Sequence, residues 1–257
     1  RAPMSAAAPP TLLSRVAVKP YGVLGSRLTL DGVLEGTKGE SPKSLPHCVI
    51  VDPAGLPFIQ TFGPMGAGGA SGAIYRFLGI GDEDAFPEDV RTHVKKPTDA
   101  RWHAYPPAAG AAGEGSLHCI HVVGPNFSEE SAMRDPPTTD AEAAEREADA
   151  VGRLRDCYAN VLAEFARSEQ SLLRLLPVSG GIFSGPFAPR MHTLTRAALA
   201  AALEGLEDEV RQAVEGREDL AIEMCIFEEA HYELFVQAFG EEGEEGAPAG
   251  APWYLRA

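Results

Sequence analysis

Two stretches of this chain consist largely of residues with small or absent side chains. Gly66-Ala67-Gly68-Gly69-Ala70-Ser71-Gly72 leads into Ala73–Leu78, which reads as the first turns of a helix. Ser179-Gly180-Gly181-Ile182-Phe183-Ser184-Gly185 directly follows the strand-like run Leu172–Val178. Loops of this kind present consecutive backbone N–H groups, and a helix N-terminus adds partial positive charge, so both suit a diphosphate. Either one alone is equally a tight strand-to-helix connection. Phe227 ends the run Leu220–Phe227, where a ring offers a nucleobase roughly 1–3 kcal/mol of stacking; a core position beneath the last helix explains it as well. Asp52 follows the apolar run Cys48–Val51. Its carboxylate is placed to accept from an adenine amino group, to act as a weak base, or to cap the turn before Pro53. The expected ligand set is Asp52, Gly68, Gly69, Ala70, Ser71, Gly72, Ser179, Gly180, Gly181, Ile182, Phe183 and Phe227.

Other chemistries find less support. His47 and His121 flank apolar runs near Cys48 and Cys119, but the spacings match no zinc pattern, so neither a metal nor a cofactor is expected. Ser71 has no histidine or carboxylate beside it in sequence to activate its hydroxyl, and no catalytic residue is assigned. Gly66–Ser71 also resembles the glycine turn of NADP-dependent dehydrogenases. That turn should follow a buried strand, whereas Gln60–Met65 contains Pro64 and makes a poor one.

Strand-like and helical segments alternate behind these loops. Val16 and Val18, then Leu28 and Leu30, mark two opening strands; Cys48–Val51 and Leu117–Val123 are continuous apolar runs suited to strands buried on both faces. Only Arg101–Tyr105 looks strand-like between 79 and 115. A helix is expected from an N-cap at Thr139 or Asp140, with Val151, Leu154, Tyr158, Val161, Leu162 and Phe165 on one face. A second spans roughly 195–214, and a third, 228–239, presents Tyr232, Phe235 and Phe239. This alternation predicts one three-layer α/β/α sandwich around a mixed sheet. Its expected extent is 15–240, with inserts at about 80–115 and 127–139. The Ala/Pro-rich stretch 1–14 and the acidic tail 241–257 flank it, and Trp253 and Tyr254 in that tail are expected to pack back on the domain.

A net charge of −15 argues against duplex nucleic acid as a partner, because no basic stripe is available to displace phosphate counterions. No run approaches the roughly 18 apolar residues of a membrane span. The four cysteines, at 48, 119, 157 and 225, read as buried reduced thiols, which points to an intracellular setting, cytosolic or organellar.

In this order the segments resemble the macro-domain family. Gly68–Ile74 is similar to its first phosphate loop, His121-Val122-Val123-Gly124-Pro125 to a characteristic strand end, Leu154–Leu162 to the helix that follows, and Pro177–Phe183 to the second phosphate loop. Ile226-Phe227-Glu228-Glu229 resembles the last strand, whose terminal aromatic stacks on adenine. The resemblance implies the α/β/α fold and binding of ADP-ribose or ADP-ribosylated protein. It is incomplete at the groove. Family hydrolases carry Asn-x-x-Asn where this chain has Asp52-Pro53-Ala54-Gly55, their acidic loop position is Ser71 here, and the Gly-Asp pair near adenine is Gly36-Thr37. These departures imply weak or absent ADP-ribosyl hydrolysis. They leave open a second role, as an accessory subunit of a larger assembly.

Overall fold

The computed structural model describes residues 12–36, 38–45, 47–107, 115–129, 136–217 and 219–240. Thr37, parts of both expected inserts, and the tail with Trp253 and Tyr254 lie outside the described residues. Six strands form the main sheet: β1 (Val16–Lys19), β4 (Cys48–Ala54), β5 (Ala100–Tyr105), β6 (Leu117–Val123), β7 (Leu172–Leu175) and β8 (Ala221–Cys225), in the order β1-β8-β7-β4-β6-β5. All neighbours pair parallel except β5, which runs antiparallel along the edge of β6. The mixed sheet is thus observed, and helices cover both of its faces.

Side chains alternate between those faces. Val49, Val51, Ile120, Val122, Leu173, Leu175, Ile222 and Met224 pack against α3 (Asp140–Ser168) and α4 (Met191–Glu204). Thr139 caps α3 by accepting from the Glu142 N–H at 3.1 Å, and Leu154, Tyr158, Val161, Leu162 and Phe165 are buried along it. The opposite face, with Cys48, Ile50, Ala54, Cys119 and Val123, packs under α1 (Gly69–Leu78) and α2 (Glu88–His93).

Several elements differ from the sequence reading. The second opening strand is a small hairpin, β2 (Arg27–Leu28) with β3 (Leu34–Glu35), outside the main sheet. Gly32 adopts φ 75° and donates to the Thr29 carbonyl, turning the chain where a continuous strand was expected. The expected helix over 195–214 is two: α4 ends with its cap at Gly205, and α5 (Asp208–Glu215) restarts after it. The short α2 carried no sequence signal. Closing the chain, α6 (Glu229–Gly240) buries Phe235 and Ala238.

All four cysteines are buried and unpaired. Burial pushes the thiols of Cys48 and Cys157 up to about 12, and those of Cys119 and Cys225 well above the usual range. Thiolate is the reactive form, so the native protein is expected to resist Ellman's reagent at pH 8 and to react at all four sites once denatured. Rapid modification of the native chain would contradict this burial. Among the described residues no helix is long and apolar enough to cross a membrane, and no group of three or more His, Cys, Asp or Glu side chains is placed to hold a metal ion.

Candidate functional site

Because β1, β8, β7, β4 and β6 run parallel, the segments leaving their C-terminal ends share one rim of the sheet, where open α/β folds gather ligands. Phe227 follows β8, Ser179–Phe183 follow β7, the first glycine stretch follows β4, and Gly124-Pro125-Asn126 follow β6. The two stretches singled out by composition therefore leave adjacent strands.

Ser71 seats the first glycine stretch. Its hydroxyl donates to Asp52 Oδ1 at 2.7 Å and lies 3.3 Å from the Pro53 carbonyl, which fixes the first turn of α1 on the end of β4. Gly68 is the N-cap and supplies no side-chain acceptor; Gly68, Gly69 and Ala70 are exposed. The first-turn N–H groups, which an α-helix cannot satisfy internally, thus lie on exposed residues at its positive end with no side-chain cap from Gly68. Gly72 is obligatory for packing, since a Cβ there would lie 2.1 Å from the Ala67 carbonyl oxygen.

Asp52 does not stand on the rim. It lies inside β4, fully buried, so neither the adenine contact nor the turn cap describes it. Its Oδ2 bonds His121 Nδ1 at 2.7 Å, and His121 Nε2 bonds the Tyr105 hydroxyl at 2.8 Å. With both carboxylate oxygens accepting, a neutral His121 would carry its proton on Nδ1 and accept from Tyr105 through Nε2. Register explains the alignment: Asp52 pairs with His121, and Tyr105 follows on β5 from the same face. The ring of Tyr75 lies 6.2 Å from that of His121, and its buried hydroxyl makes no hydrogen bond of ordinary geometry. Burial first, and Asp52 nearby second, hold that phenol far above the tyrosine range.

The second loop is partly committed to its own structure. Ser179 adopts φ 59° and its hydroxyl donates to the Pro125 carbonyl at 2.7 Å, while the Gly180 N–H donates to Pro177. Gly124 leaves room for this contact; a Cβ there would sit 2.4 Å from Ser179 Oγ. Ser179 and Gly180 therefore shape the turn, and Gly181, Ile182 and Phe183 open the 3-10 helix Ile182–Arg190 at the rim. Ile182 is 87% exposed.

Phe227 is 41% exposed, which rules out a core position. Its ring lies against Gly22, where a Cβ would come within 3.2 Å of it, and its carbonyl accepts from the Leu28 N–H at 2.9 Å. Beneath this end, Arg174 is almost fully enclosed. It donates to Glu223 at 2.9 Å and to the carbonyls of Glu40 and Val23 at 2.8 and 3.3 Å, and stacks 5.2 Å from the Tyr21 ring. Burial, followed by Glu223, pushes the Tyr21 hydroxyl up to about 12.

Sequence reasoning missed the roles of His121, Tyr105 and Gly22. Strand register would have brought Asp52 to His121, but register is not visible in one sequence.

No family model matches the chain, and no curated protein matches it by sequence. Among solved structures, Alphavirus P23pro-zbd gives a TM-score of 0.49 at 15% identity over 95% of this chain, which spans 25% of that one. A Trypanosoma brucei macrodomain in complex with ADP gives 0.46 at 16% identity, covering 87% of this chain and 68% of that one. An Oceanobacillus iheyensis macrodomain with ADP gives 0.44 at 16%, covering 75% and 82%. In backbone outline the chain is similar to macrodomain structures, at scores and identities too low to carry a ligand or an activity across.

Proposed function

We propose that the rim binds ADP-ribose or a related nucleoside diphosphate, free or linked to protein. One observation carries the reading: the exposed N-terminus of α1, fixed on β4, lies one strand from the Gly181–Phe183 turn and two strands from the half-exposed ring of Phe227. Neighbouring strands lie about 4.8 Å apart, so the ends of β8 and β4 are separated by roughly 10 Å, the scale of a base and its diphosphate bridged by a ribose. The choice of ADP-ribose among such nucleotides rests on the sequence resemblance.

In this reading the diphosphate takes the free N–H groups of Gly69, Ala70 and Ser71 and of the Gly181–Phe183 turn, and the base stacks on Phe227. Hydrolysis is not part of the proposal. Gly55 has no side chain to hold a distal ribose, and the Ser71 hydroxyl is already directed at Asp52 rather than toward a water.

Titration calorimetry with ADP-ribose tests the reading, with Phe227→Ala as the companion. Losing the stacking surface is expected to weaken binding about tenfold to a hundredfold, with little change in melting temperature because the ring is already half exposed. Absence of heat at millimolar nucleotide would overturn the proposal. An unchanged affinity in Phe227→Ala would move the base elsewhere.

A further inference from the structure

We propose that Asp52 and His121 are positioning residues of the α1 glycine stretch: the buried chain Tyr105–His121–Asp52 sets Ser71, and through it the first turn of α1, without touching ligand. This rests on the preceding reading of the rim as a diphosphate site.

The chain of contacts is continuous. Tyr105 bonds His121 at 2.8 Å, His121 bonds Asp52 at 2.7 Å, and Ser71 bonds Asp52 at 2.7 Å. Asp52 and His121 are fully enclosed, so neither reaches a molecule on the rim. Ser71 alone belongs both to the chain and to the exposed turn that contains Gly69 and Ala70. Gly68 offers no side-chain cap, and Gly66 and Gly69 take positive φ angles, so the stretch has little else to hold its conformation. Here the helix is anchored from below by a carboxylate two strand residues before Ala54, and its N–H groups remain free above. A serine placed at this point for capping would instead consume one of those donors.

The order of groups also excludes a serine nucleophile activated by histidine. Ser71 meets the carboxylate, and the imidazole lies on its far side.

Three measurements on the full chain test the assignment. Ser71→Ala should weaken ADP-ribose binding and speed amide exchange at Gly72, Ala73 and Ile74, each by about tenfold, as expected for loss of a hydrogen bond to a charged group. Ser71→Thr keeps the hydroxyl and should restore both to near the original values. In Asp52→Asn the amide oxygen still accepts from Ser71, but the amide nitrogen donates to His121. The imidazole proton should then move from Nδ1 to Nε2, which ring nitrogen-15 shifts report, while the exchange rates stay close to those of the unmodified chain. Unchanged exchange in Ser71→Ala, a folded Ser71→Thr as defective as alanine, or an Nε2 proton in the unmodified protein would each overturn the proposal. Exchange and nitrogen shifts need no nucleotide. If the unmodified chain binds no ADP-ribose, the functional reading falls and these two measurements still decide the positioning role.

Discussion

Arg174→Ala is expected to cost about 3–5 kcal/mol of folding stability, the range for breaking a buried ion pair by removing one partner. The guanidinium, on β7, ties the sheet to the long segment between β1 and β4. It holds Glu223 on β8, the Val23 and Glu40 carbonyls of the long segment between β1 and β4, and the face of Tyr21. Alanine leaves two carbonyls without this donor, and Glu223 keeps only the more distant Lys19 ammonium at 3.5 Å and the Tyr21 hydroxyl at 3.4 Å. Urea unfolding monitored by circular dichroism gives the loss directly. The double replacement Arg174→Met with Glu223→Leu should recover much of it, because no charge is then left buried alone. A single variant within about 1 kcal/mol of the original protein would show that the pair is solvated far more than its geometry implies.

Gly69→Glu should weaken ADP-ribose binding about a hundredfold. Gly69 opens α1 with φ 58°, and nothing lies within 4 Å of the position a Cβ would take, so the new side chain has room to lie over the first-turn N–H groups. A carboxylate about 6 Å from a phosphate charge at an effective dielectric of about 20 costs about 3 kcal/mol, close to a hundredfold in affinity. The left-handed backbone adds a folding penalty of roughly 1–2 kcal/mol. Gly69→Ala isolates that penalty, and is expected to retain most of the affinity at a lowered melting temperature. Equal binding by the glutamate variant and the unmodified chain would place the diphosphate away from α1.

Much of the architecture was legible in the sequence because its signals are local. Cys48–Val51 and Leu117–Val123 are apolar on consecutive residues, which suits strands covered on both sides, and they are the adjacent interior strands β4 and β6. An N-cap at Thr139 or Asp140 announced the start of α3, and Thr139 is the cap. The failures have equally local causes. Residues 195–214 contain no proline, and Gly205 alone gave notice of the break. Gly69 and Ala70 read as loop because glycine is a weak helix former, but the Ser71–Asp52 bond and the close approach of Ala67 at Gly72 draw them into α1. At the rim, sequence order located both glycine stretches and Phe227. It could not distinguish donors that face outward from those spent inside a turn, as at Gly180, nor show that Asp52 points into the protein. Both depend on strand register and on residues distant in the chain.

The edge strand β1 sets the order in which the chain must assemble. Val16 pairs with Ile222 and Lys19 with Cys225, and Arg15 donates to the Arg217 carbonyl 202 positions away. β8 must therefore arrive before β1 has a neighbour, and during synthesis an early apolar strand waits while almost all of the domain is translated. Closing so long a loop is entropically slow. Premature termination ahead of residue 221 would strand both β1 and the exposed edge of β7, so such nascent chains should be preferred clients of ribosome-associated chaperones.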